Sequence, residues 1–420
     1  MTDRWLILAD DLTGAADCAI AFGRRGRAAA VIWGEISGAP DHQLRVLAYD
    51  AASRGLAADA AAGRHADVLA RLFKPSQRLF KKIDSTLRGQ PAAEIAAMLA
   101  HLKCLAGTGF GVFAPAFPAT GRTTIGGRIR INGRPLEQTE IWQRDHSYPN
   151  ADLVDVLATA GIRSERVTLA AVRGGDLKAR FATLANAGDM VAACDAETEH
   201  DLHLIAEASL QASSATLFIG SAGLAHAVAG LDAGLGTAHA VEPLCIPAGT
   251  SGTLIVVGSL AGASRAAARE LVATGTVAHF PVAPTMLLDA AASRAALATG
   301  VTRRLSSGGD ALVEIMMDDQ PNMSLGPRLA RGLAEALQIT VPAIGAFAAT
   351  GGETAAALLS HFGVSGIRLA DEIEPGVSLG LTLGNISIPV ATKAGAFGDE
   401  QSLIRITRRL RAVQTKGSFA

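Results

Sequence analysis

Short apolar runs rich in strand-forming residues alternate along the chain with segments in which alanine and leucine recur at helical spacing. The runs that predict buried strands are 5–9, 29–33, 45–51, 78–85, 109–116, 190–196, 215–220, 253–259, 343–350 and 386–395. Helices are predicted over 92–103, 150–161 and 264–275, and from about Ala15 onwards. Repetition of strand, helix and strand predicts an α/β fold with mostly parallel sheets flanked by helices, because parallel strands are buried on both faces.

Length and a local change in composition predict two domains. A chain of 420 residues exceeds what a single hydrophobic core usually serves. Residues 231–252 are rich in Gly, Pro and small residues without helical periodicity, which is typical of a linker. We therefore expect an N-terminal domain over 1–235 and a C-terminal domain over 250–420. Asn132-Gly133 also predicts the turn of a β-hairpin.

Charge and cysteine usage exclude several classes of protein. Lys and Arg total 38 against 39 Asp and Glu, so the chain offers no broad attraction to nucleic acid or an anionic membrane. The 4 cysteines are far apart without a CxxC pair, which argues against a zinc site or a disulfide framework. No signal peptide is evident, and no stretch approaches the roughly 20 apolar residues of a membrane span. We expect a cytoplasmic protein with no nucleic-acid or membrane partner.

Charged side chains follow predicted strands in the N-terminal half. They are Asp10 and Asp11 after the first strand, Asp50, Ser53 and Arg54 after the third, and Lys81, Lys82, Asp84, Ser85, Thr86 and Arg88 after the fourth. The carboxyl ends of strands are where open α/β sheets bind ligands. Cations bind a carboxylate and aspartates accept from hydroxyls, so the set predicts a site for a small hydroxy-carboxylate. Asp10 and Asp11 could alternatively cap the helix that follows.

Glycines follow predicted strands in the C-terminal half. They lie in the segments Gly258-Ser259, Thr350-Gly351-Gly352-Glu353-Thr354 and Gly395-Ala396-Phe397-Gly398, the last preceded by Lys393. Glycines at a strand-to-helix turn let backbone N–H groups approach phosphate oxygens, and Lys393 would neutralise a phosphate. These segments together predict a phosphate-binding edge. A P-loop and a GxGxxG after the first strand are both absent, which argues against those two nucleotide-binding folds.

The chain resembles the four-carbon acid sugar kinases from Asp10 to Gly398. The motifs that carry the resemblance occur in the same order: ADDLTGAAD, KKIDSTLRG, GSLAGASRAA, ATGGET, EIEPGVSLG and KAGAFG. The resemblance implies ATP-dependent phosphorylation of the terminal hydroxyl of a four-carbon sugar acid. It also implies an N-terminal substrate domain and a C-terminal nucleotide domain, with the active site in the cleft between them. Mg²⁺ bridging the phosphates is expected with such phosphoryl transfer.

The resemblance and the charge pattern together assign two sites. The substrate site comprises Asp11, Arg54, Lys82, Ile83, Asp84 and Ser85 by resemblance, with Asp10 and Arg88 added from the charge pattern. The ATP site comprises Ser259, Gly351, Gly352, Glu353, Thr354 and Gly395 by resemblance, with Lys393 and Ala396 added from the glycine pattern.

Roles follow for some of these residues. We expect Asp11 or Asp84 to orient the attacking hydroxyl, with Asp11 favoured, and Arg54 and Lys82 to hold the substrate carboxylate. Asp10 and Asp11 have no basic neighbour in the sequence, so a sugar hydroxyl or a metal ion is expected as their partner. No metal ligands are assigned.

KKIDSTLRG resembles the threonate and erythronate kinases more than the 3-oxo-tetronate kinases. The expected reaction converts D-threonate and ATP to the 4-phosphate and ADP. The alternatives are a D-erythronate or 3-oxo-tetronate 4-kinase and, in another class, a non-catalytic sugar-acid sensor on the same fold. A hydroxy-acid dehydrogenase is disfavoured because the dinucleotide fingerprint is absent. The expected partners are the sugar acid and ATP, and we allow for a homodimer.

Overall fold

The computed structural model describes residues 4–36, 43–144, 146–213, 215–232, 244–259, 261–289, 291–316, 325–395 and 397–419. The described residues divide into two compact units, one drawn from 1–29 and 35–240 and the other from 30–34 and 241–420. The predicted linker falls in part on residues 233–243, which lie outside the described residues. No helix in the described part of the chain is long and apolar enough to cross a membrane.

The strands, in chain order, are β1 (Trp5–Ala9), β2 (Ala29–Trp33), β3 (Val46–Asp50), β4 (Arg78–Lys82), β5 (Phe110–Ala114), β6 (Arg122–Ile125), β7 (Arg128–Ile131), β8 (Arg134–Pro135), β9 (Ser164–Val167), β10 (Met190–Cys194), β11 (Thr216–Gly220), β12 (Thr253–Val257), β13 (Val277–Val282), β14 (Asp310–Ile315), β15 (Ala346–Thr350), β16 (Val364–Glu374), β17 (Val377–Gly384) and β18 (Pro389–Lys393). Every apolar run that predicts a strand contains one.

The helices are α1 (Leu12–Gly23), α2 (Ala58–Leu72), α3 (Pro91–Ala106), α4 (Glu140–Arg144), α5 (Leu153–Ala158), α6 (Leu169–Arg173), α7 (Leu177–Ala187), α8 (Glu199–Ala212), α9 (Ala222–Asp232), α10 (Gly262–Ala273), α11 (Pro284–Asp289), α12 (Ala291–Ser306), α13 (Gly326–Leu337), α14 (Gly352–His361) and α15 (Ser402–Lys416). The first helix begins at Leu12 and not near Ala15, because the Asp11 side chain accepts a hydrogen bond from Gly14 N and caps it.

The first unit is built on a parallel sheet in the order β3-β1-β4-β11-β5-β10-β9. Strand β1 pairs with β3 on one side, where Ala9 lies opposite Asp50, and with β4 on the other, where Leu8 lies opposite Lys81. The chain passes from β1 to β3 and then crosses to β4. The carboxyl ends of these strands therefore meet at the topological switch point, where such sheets bind ligands.

The second unit has strand order β13-β14-β12-β15-β18-β17-β16-β2. Its strands are parallel from β13 to β18 and antiparallel from β18 to β2. From β12 the chain continues to β13 and β14 on one side and then crosses to β15 on the other. The carboxyl ends of β12 and β15 therefore form the switch point of this sheet. Both units together confirm the predicted α/β class with mostly parallel sheets.

Strand β2 belongs to the second unit although it lies early in the chain. It pairs antiparallel with β16, where Ile32 lies opposite Gly366, and Trp33 Nε1 donates to Ser360 Oγ at 2.8 Å. The division by sequence places residues 30–34 in the N-terminal domain instead. The physical reason for the difference is that β16 offers a strand edge, and pairing with β2 satisfies its backbone groups.

The predicted β-hairpin is confirmed in the first unit. Strands β7 and β8 pair antiparallel with Ile131 opposite Arg134, so Asn132 and Gly133 form a two-residue turn. Their φ angles of 49° and 78° are those that a type I′ turn requires. Strand β6 pairs with the other side of β7 and extends the hairpin to a small antiparallel sheet.

Candidate functional site

Arg54, in the loop after β3, joins the two carboxylates that follow β1. Its Nε and Nη2 donate to Asp10 Oδ2 at 2.7 Å and Oδ1 at 3.0 Å, and its Nη1 donates to Asp11 Oδ2 at 2.8 Å. The expectation that these aspartates lack a basic partner in the protein is therefore wrong. The reason is topological, since β1 and β3 are neighbours and their following loops lie side by side.

Asp11 also caps helix α1, as the alternative interpretation allows. Its Oδ1 accepts from Gly14 N at 2.9 Å, and its Oδ2 accepts from Thr13 Oγ1 at 2.9 Å in addition to Arg54. The carboxylate is thus fixed by three donors at the N-terminus of a helix, where a negative charge is stabilised. In the part of the chain that the structure describes, its Oδ1 has a single donor, Gly14 N.

Asp10 is buried with its charge compensated. Burial by itself would raise the pKa of Asp10, but the charge and hydrogen bonds of Arg54, helped by Lys81 and Lys82, lower it to about 2. The same pairing acts in the other direction on the guanidinium. Burial opposes its charge, yet Asp10, Asp11 and Asp84 together raise the pKa of Arg54 well above its ordinary value. Asp10 and Arg54 are therefore both ionised around neutral pH.

The loop between β4 and α3 carries the next predicted residues. Arg88 Nε and Nη2 donate to Asp84 Oδ2 at 3.0 Å and Oδ1 at 2.9 Å, and Thr86 N donates to Oδ2 at 3.1 Å. Burial would raise the pKa of Asp84, but Arg88 and Arg54 lower it well below its usual value. Arg54 Nη2 is 4.0 Å from Asp84 Oδ1, so this pair adjoins the Arg54 network.

Ile83 and Ser85, on either side of Asp84, are both buried. Ile83 N donates to Gly220 O at 2.9 Å, which ties the start of this loop to the end of β11. The run Lys82 to Ser85 thus continues directly from the end of β4 at the switch point. The structure brings all the predicted residues of the substrate site to the ends of three neighbouring strands.

Lys82 lies against the start of helix α1. A Cβ placed on Gly14 would be 2.7 Å from Lys82 Nζ and 2.6 Å from Asp11 Oδ1, so only glycine leaves room for both groups there. Burial disfavours the charge, but the nearby acidic groups Cys18, Asp11 and Asp10 raise the pKa of Lys82 overall. Among the described residues, no carboxylate oxygen lies within 4.0 Å of Lys82 Nζ, the distance that an ion pair requires. The ammonium is charged and retains its donors.

Asp50 is a further carboxyl group at this edge, and the sequence assigns it no role. It ends β3, is 3 % exposed, and its Oδ1 accepts from Ala52 N at 2.7 Å. Burial, followed by the negative charge of Asp11, raises the pKa of Asp50 to about 7. Its position after an apolar strand is a signal that the sequence does contain. Its altered acidity depends on strand order, which the sequence does not show.

The second unit brings its predicted residues together in the same topological position. Ser259 follows β12, and a Cβ placed on Gly395 would lie 2.2 Å from Ser259 Oγ. Gly351, between β15 and α14, has φ of 90°, and a Cβ placed on it would lie 3.7 Å from Ser259 Cβ. The backbone therefore approaches the Ser259 side chain closely from two loops. Such glycine-lined main chain at a helix start suits phosphate oxygens.

Helix α14 begins immediately after Gly351. A Cβ placed on Gly258 would lie 2.2 Å from Thr354 Oγ1, so the buried Thr354 packs against the end of β12. Gly352 is buried as the first residue of the helix, and Glu353 beside it is exposed. Main chain and small side chains therefore pack together where β12 and β15 end.

Lys393 is buried beneath its own loop. Its Nζ donates to Ser264 Oγ at 3.2 Å and to Ala394 O at 3.3 Å, and Ser264 Oγ donates to Gly395 O at 2.9 Å. Burial lowers the pKa of Lys393 to about 8, although Glu374 and Asp399 oppose that shift. Its bonds hold the loop backbone, and the phosphate contact expected of it stays a prediction. Ala396 lies outside the described residues.

The turn between β16 and β17 supports the same loop and was not part of the predicted site. Gly376 O accepts from Ala394 N at 3.0 Å, and Glu374 Oε2 accepts from Arg405 Nε at 2.6 Å. The motif EIEPGVSLG, which contains both residues, contributed to the family resemblance but carried no assignment. Its hydrogen bonds to a loop distant in sequence give it a place beside the predicted nucleotide residues.

The described residues contain no group of three or more His, Cys, Asp or Glu side chains that could hold a metal ion. Mg²⁺ in phosphoryl-transfer enzymes is usually held by one or two carboxylates together with the substrate phosphates. A closed protein cage is therefore not required for it. The glycine-lined edge fits a polyphosphate, and the magnesium ion stays a prediction.

Comparison with known proteins bears on both units. Residues 5–228 match the model of a sugar-binding N-terminal domain, and residues 254–403 match that of a nucleotide-binding C-terminal domain. A D-threonate kinase of Cupriavidus necator is 42% identical over 410 residues, covering 95% of this chain and 96% of that protein. A D-erythronate kinase of Heliobacterium modesticaldum is 27% identical, with 94% of each chain covered. A crystal structure from Salmonella typhimurium LT2 has the same fold, with a TM-score of 0.78 at 21% identity over 97% of this chain and 99% of that one.

Proposed function

Because this chain belongs to the four-carbon acid sugar kinase family, we propose that it transfers a phosphoryl group from ATP to the 4-hydroxyl of D-threonate, giving the 4-phosphate and ADP. The class of enzyme, a sugar-acid kinase, follows from the family. The choice of D-threonate is supported by the 42% identity to a D-threonate kinase over 95% of the chain, against 27% to a D-erythronate kinase.

The proposed binding of the sugar acid rests on the state of Lys82. It is a charged ammonium at the switch point, and it has no ion pair among the described residues. Arg54, by contrast, already donates to Asp10 and Asp11. We therefore assign the substrate carboxylate first to Lys82. Arg54 keeps the two aspartates in place, which refines the expectation that Arg54 and Lys82 hold the carboxylate.

Asp11 remains the favoured group to orient the 4-hydroxyl. Both oxygens of Asp84 accept from Arg88, and Oδ2 accepts from Thr86 as well. Among the described residues, Asp11 Oδ1 accepts only from Gly14 N, so it has capacity for a substrate hydroxyl. In phosphoryl transfer, such a carboxylate acts mainly by positioning the nucleophile and accepting its proton.

The glycine-lined edge of the second unit supports the nucleotide side. ATP supplies the transferred phosphoryl group, with Mg²⁺ expected to neutralise its charge. Ser259 and Gly395 would hold the phosphates through main-chain N–H groups and one hydroxyl. Gly351, whose own N–H donates to Lys393 O at 2.9 Å, would leave room for them, and Lys393 would keep the loop in place. That the two sites share a cleft stays a prediction, as do a homodimer and a cytoplasmic location.

A panel assay tests the proposal. Purified protein with ATP and Mg²⁺ is offered D- and L-threonate, D- and L-erythronate and 3-oxo-tetronate, and ADP release is measured. We expect the highest kcat/KM with D-threonate and a ³¹P resonance coupled to the C4 protons of the product. A higher kcat/KM with D-erythronate would make D-erythronate, and not D-threonate, the substrate. Release of no ADP with any acid would overturn the kinase proposal, and tight sugar-acid binding in the same sample would then favour the sensor.

A further inference from the structure

A buried polar cluster in the first unit has no place in the site described above. It comprises Ser53 in the loop after β3, His65 on α2, Lys81 on β4 and Glu94 on α3, all at most 1% exposed. Lys81 and Lys82 are consecutive on a strand, so their side chains point to opposite faces of the sheet. Lys82 points to helix α1, and Lys81 points to α2 and α3. The cluster thus occupies the other face of the strand that carries Lys82.

Glu94 holds the cluster together. Its Oε2 lies 2.7 Å from Lys81 Nζ, and its Oε1 accepts from Ser53 Oγ at 2.5 Å. His65 Nδ1 lies 3.1 Å from Ala61 O, so Nδ1 carries the proton and donates to that carbonyl. His65 Nε2 then accepts from Lys81 Nζ at 3.1 Å. Each Glu94 oxygen therefore bonds a different element of the fold.

The charge state of the cluster is settled by these contacts. Burial and the Lys81 charge lower the pKa of His65 to about 4, so its ring is neutral at neutral pH. Burial would raise the pKa of Glu94, but the charge of Lys81 lowers it overall, so Glu94 is ionised. One positive and one negative charge are therefore buried together. Such a pair contributes little net stability compared with apolar residues, so folding alone does not account for it.

Ser53 connects the cluster to Arg54, which is the next residue in the chain. The main-chain N–H groups of Ser53 and Arg54 both donate to Asp10 O, at 3.1 Å and 3.3 Å. The preceding residue, Ala52, has φ of 46°, so the loop turns sharply just before them. The hydrogen bond from Ser53 Oγ to Glu94 is the side-chain contact that fixes this turn to α3. A shift of Ser53 would therefore move the backbone from which Arg54 extends.

We propose that Ser53 and Glu94 are positioning residues that hold Arg54 in its bridge between Asp10 and Asp11, with Lys81 as the ion-pair partner of Glu94. This role belongs to the proposed sugar-acid site, and its expected effect on kcat rests on the proposed function. Arg54 aligns the carboxylate that is to orient the hydroxyl. Misplacement by about 1 Å in such an arrangement can lower a rate about 100-fold.

Ser53→Ala is the variant that tests this. It removes one hydroxyl and leaves the ion pair of Lys81 and Glu94 intact. We expect kcat with the sugar acid to fall about 10- to 100-fold, with KM for ATP within about twofold of the wild type. We also expect the Arg54 Nε–H, observed by ¹⁵N NMR and assigned with an Arg54→Lys sample, to exchange faster with solvent. Glu94→Gln should likewise lower kcat and leave KM for ATP nearly unchanged, with a larger loss of thermal stability.

Ser209→Ala is the matched control, since Ser209 Oγ is also fully buried and donates to Ile205 O at 2.6 Å within helix α8. It should lose comparable stability and keep wild-type kinetics. Wild-type kcat in Ser53→Ala would overturn the proposal. If the wild type phosphorylates none of the acids, the proposed function has failed independently. The exchange rate still decides the positioning role in that case, because equally slow exchange in both proteins would overturn it.

Discussion

The switch point of the first unit presents charged side chains, whereas that of the second presents main chain. Asp10, Asp11 and Arg54 in the first unit are linked by three charged hydrogen bonds of 2.7 to 3.0 Å. In the second unit, Gly351 and Gly395 approach Ser259 so closely that a Cβ on Gly395 would lie 2.2 Å from its hydroxyl. Both sheets use the same topological position, but they fill it with different chemistry.

The difference follows from what each kind of group needs when it is buried. A buried charge is costly unless it is paired, so Asp10, Asp11 and Arg54 depend on one another, and changing one leaves another uncompensated. Backbone N–H groups carry no formal charge and need only space, so the second site depends on the absence of side chains. The first site should therefore be sensitive to charge and geometry, and the second to volume.

Arg54→Lys should have the largest effect, because it keeps the charge and removes the fork that bridges two carboxylates. A lysine cannot bind Asp10 at two oxygens and Asp11 at a third with fixed geometry. We expect kcat/KM for the sugar acid to fall by about 1,000-fold, with KM for ATP nearly unchanged. Steady-state kinetics with each substrate varied in turn measures both values.

Arg173→Lys is the matched control for that substitution. Arg173 also binds a buried aspartate through two nitrogens, at 2.7 Å and 2.8 Å from Asp201. Arg173 ends α6 and Asp201 lies in the first turn of α8, so this pair is away from the switch point. This variant should retain its kinetics. A value of kcat/KM for Arg54→Lys within about fivefold of the wild type would contradict the bridging role, since loss of such geometry has a larger effect.

Gly395→Ala tests the second site by volume alone. The added Cβ would lie 2.2 Å from Ser259 Oγ and 3.0 Å from its Cβ, so the Ser259 side chain or the loop must shift. Overpacking of this kind costs about 1–3 kcal/mol, which corresponds to about 5- to 150-fold in binding. We expect that increase in KM for ATP, with KM for the sugar acid unchanged.

Gly262→Ala provides the comparison within the same unit. A Cβ at Gly262, the first residue of α10, would meet no atom within 4 Å, so this variant should bind ATP normally. An unchanged KM for ATP in Gly395→Ala, or a change confined to the sugar acid, would show that the glycine loop does not hold the nucleotide.

The two sites also differ in how far the sequence could predict them. The strand ends were predictable, because each carries polar residues directly after a continuous apolar run. Arg54 as the partner of Asp10 and Asp11 was not, because their contact depends on β3 lying beside β1, and strand order is not local information. The glycine segments were found one by one, whereas their approach to Ser259 required the order β12-β15-β18.

Two of the strands that the sequence missed, β16 and β13, share a physical cause. Strand β16, with burial alternating between buried and partly exposed residues, carries Arg368, Asp371 and Glu372, and its pairing with β17 contains register shifts. Strand β13 contains His279 and Pro281 and has partly exposed positions. Neither forms a continuous apolar run, so neither has the signature by which the buried parallel strands were identified.

Asp50→Asn should have the smallest effect on activity, and its pH dependence should distinguish the charged first site from the second. The folded protein raises the pKa of Asp50 from 3.8 to about 7 by burial and the nearby Asp11 charge, with Asp10 adding to it and Arg54 opposing. Between these values the folded state binds more protons than the unfolded state, so this group's contribution to stability is lost as pH rises. The melting temperature of the wild type should therefore fall relative to Asp50→Asn from about pH 4 to about pH 7, and remain at a constant difference above that.

The same ionisation should affect the anionic substrate. Above about pH 7, Asp50 adds a negative charge beside Asp10 and Asp11, and this charge disfavours binding of the substrate carboxylate nearby. We expect KM for the sugar acid to rise about fivefold between pH 6 and 8 in the wild type and to stay level in Asp50→Asn. Asp59→Asn, at an exposed aspartate in the first turn of α2, should follow the wild type. Asp50 belongs to the first unit, so KM for ATP should follow one pH profile in the wild type and in Asp50→Asn, including any change caused by Lys393, whose pKa is about 8. Identical profiles for the two substrates would show that Asp50 does not act on the sugar-acid site.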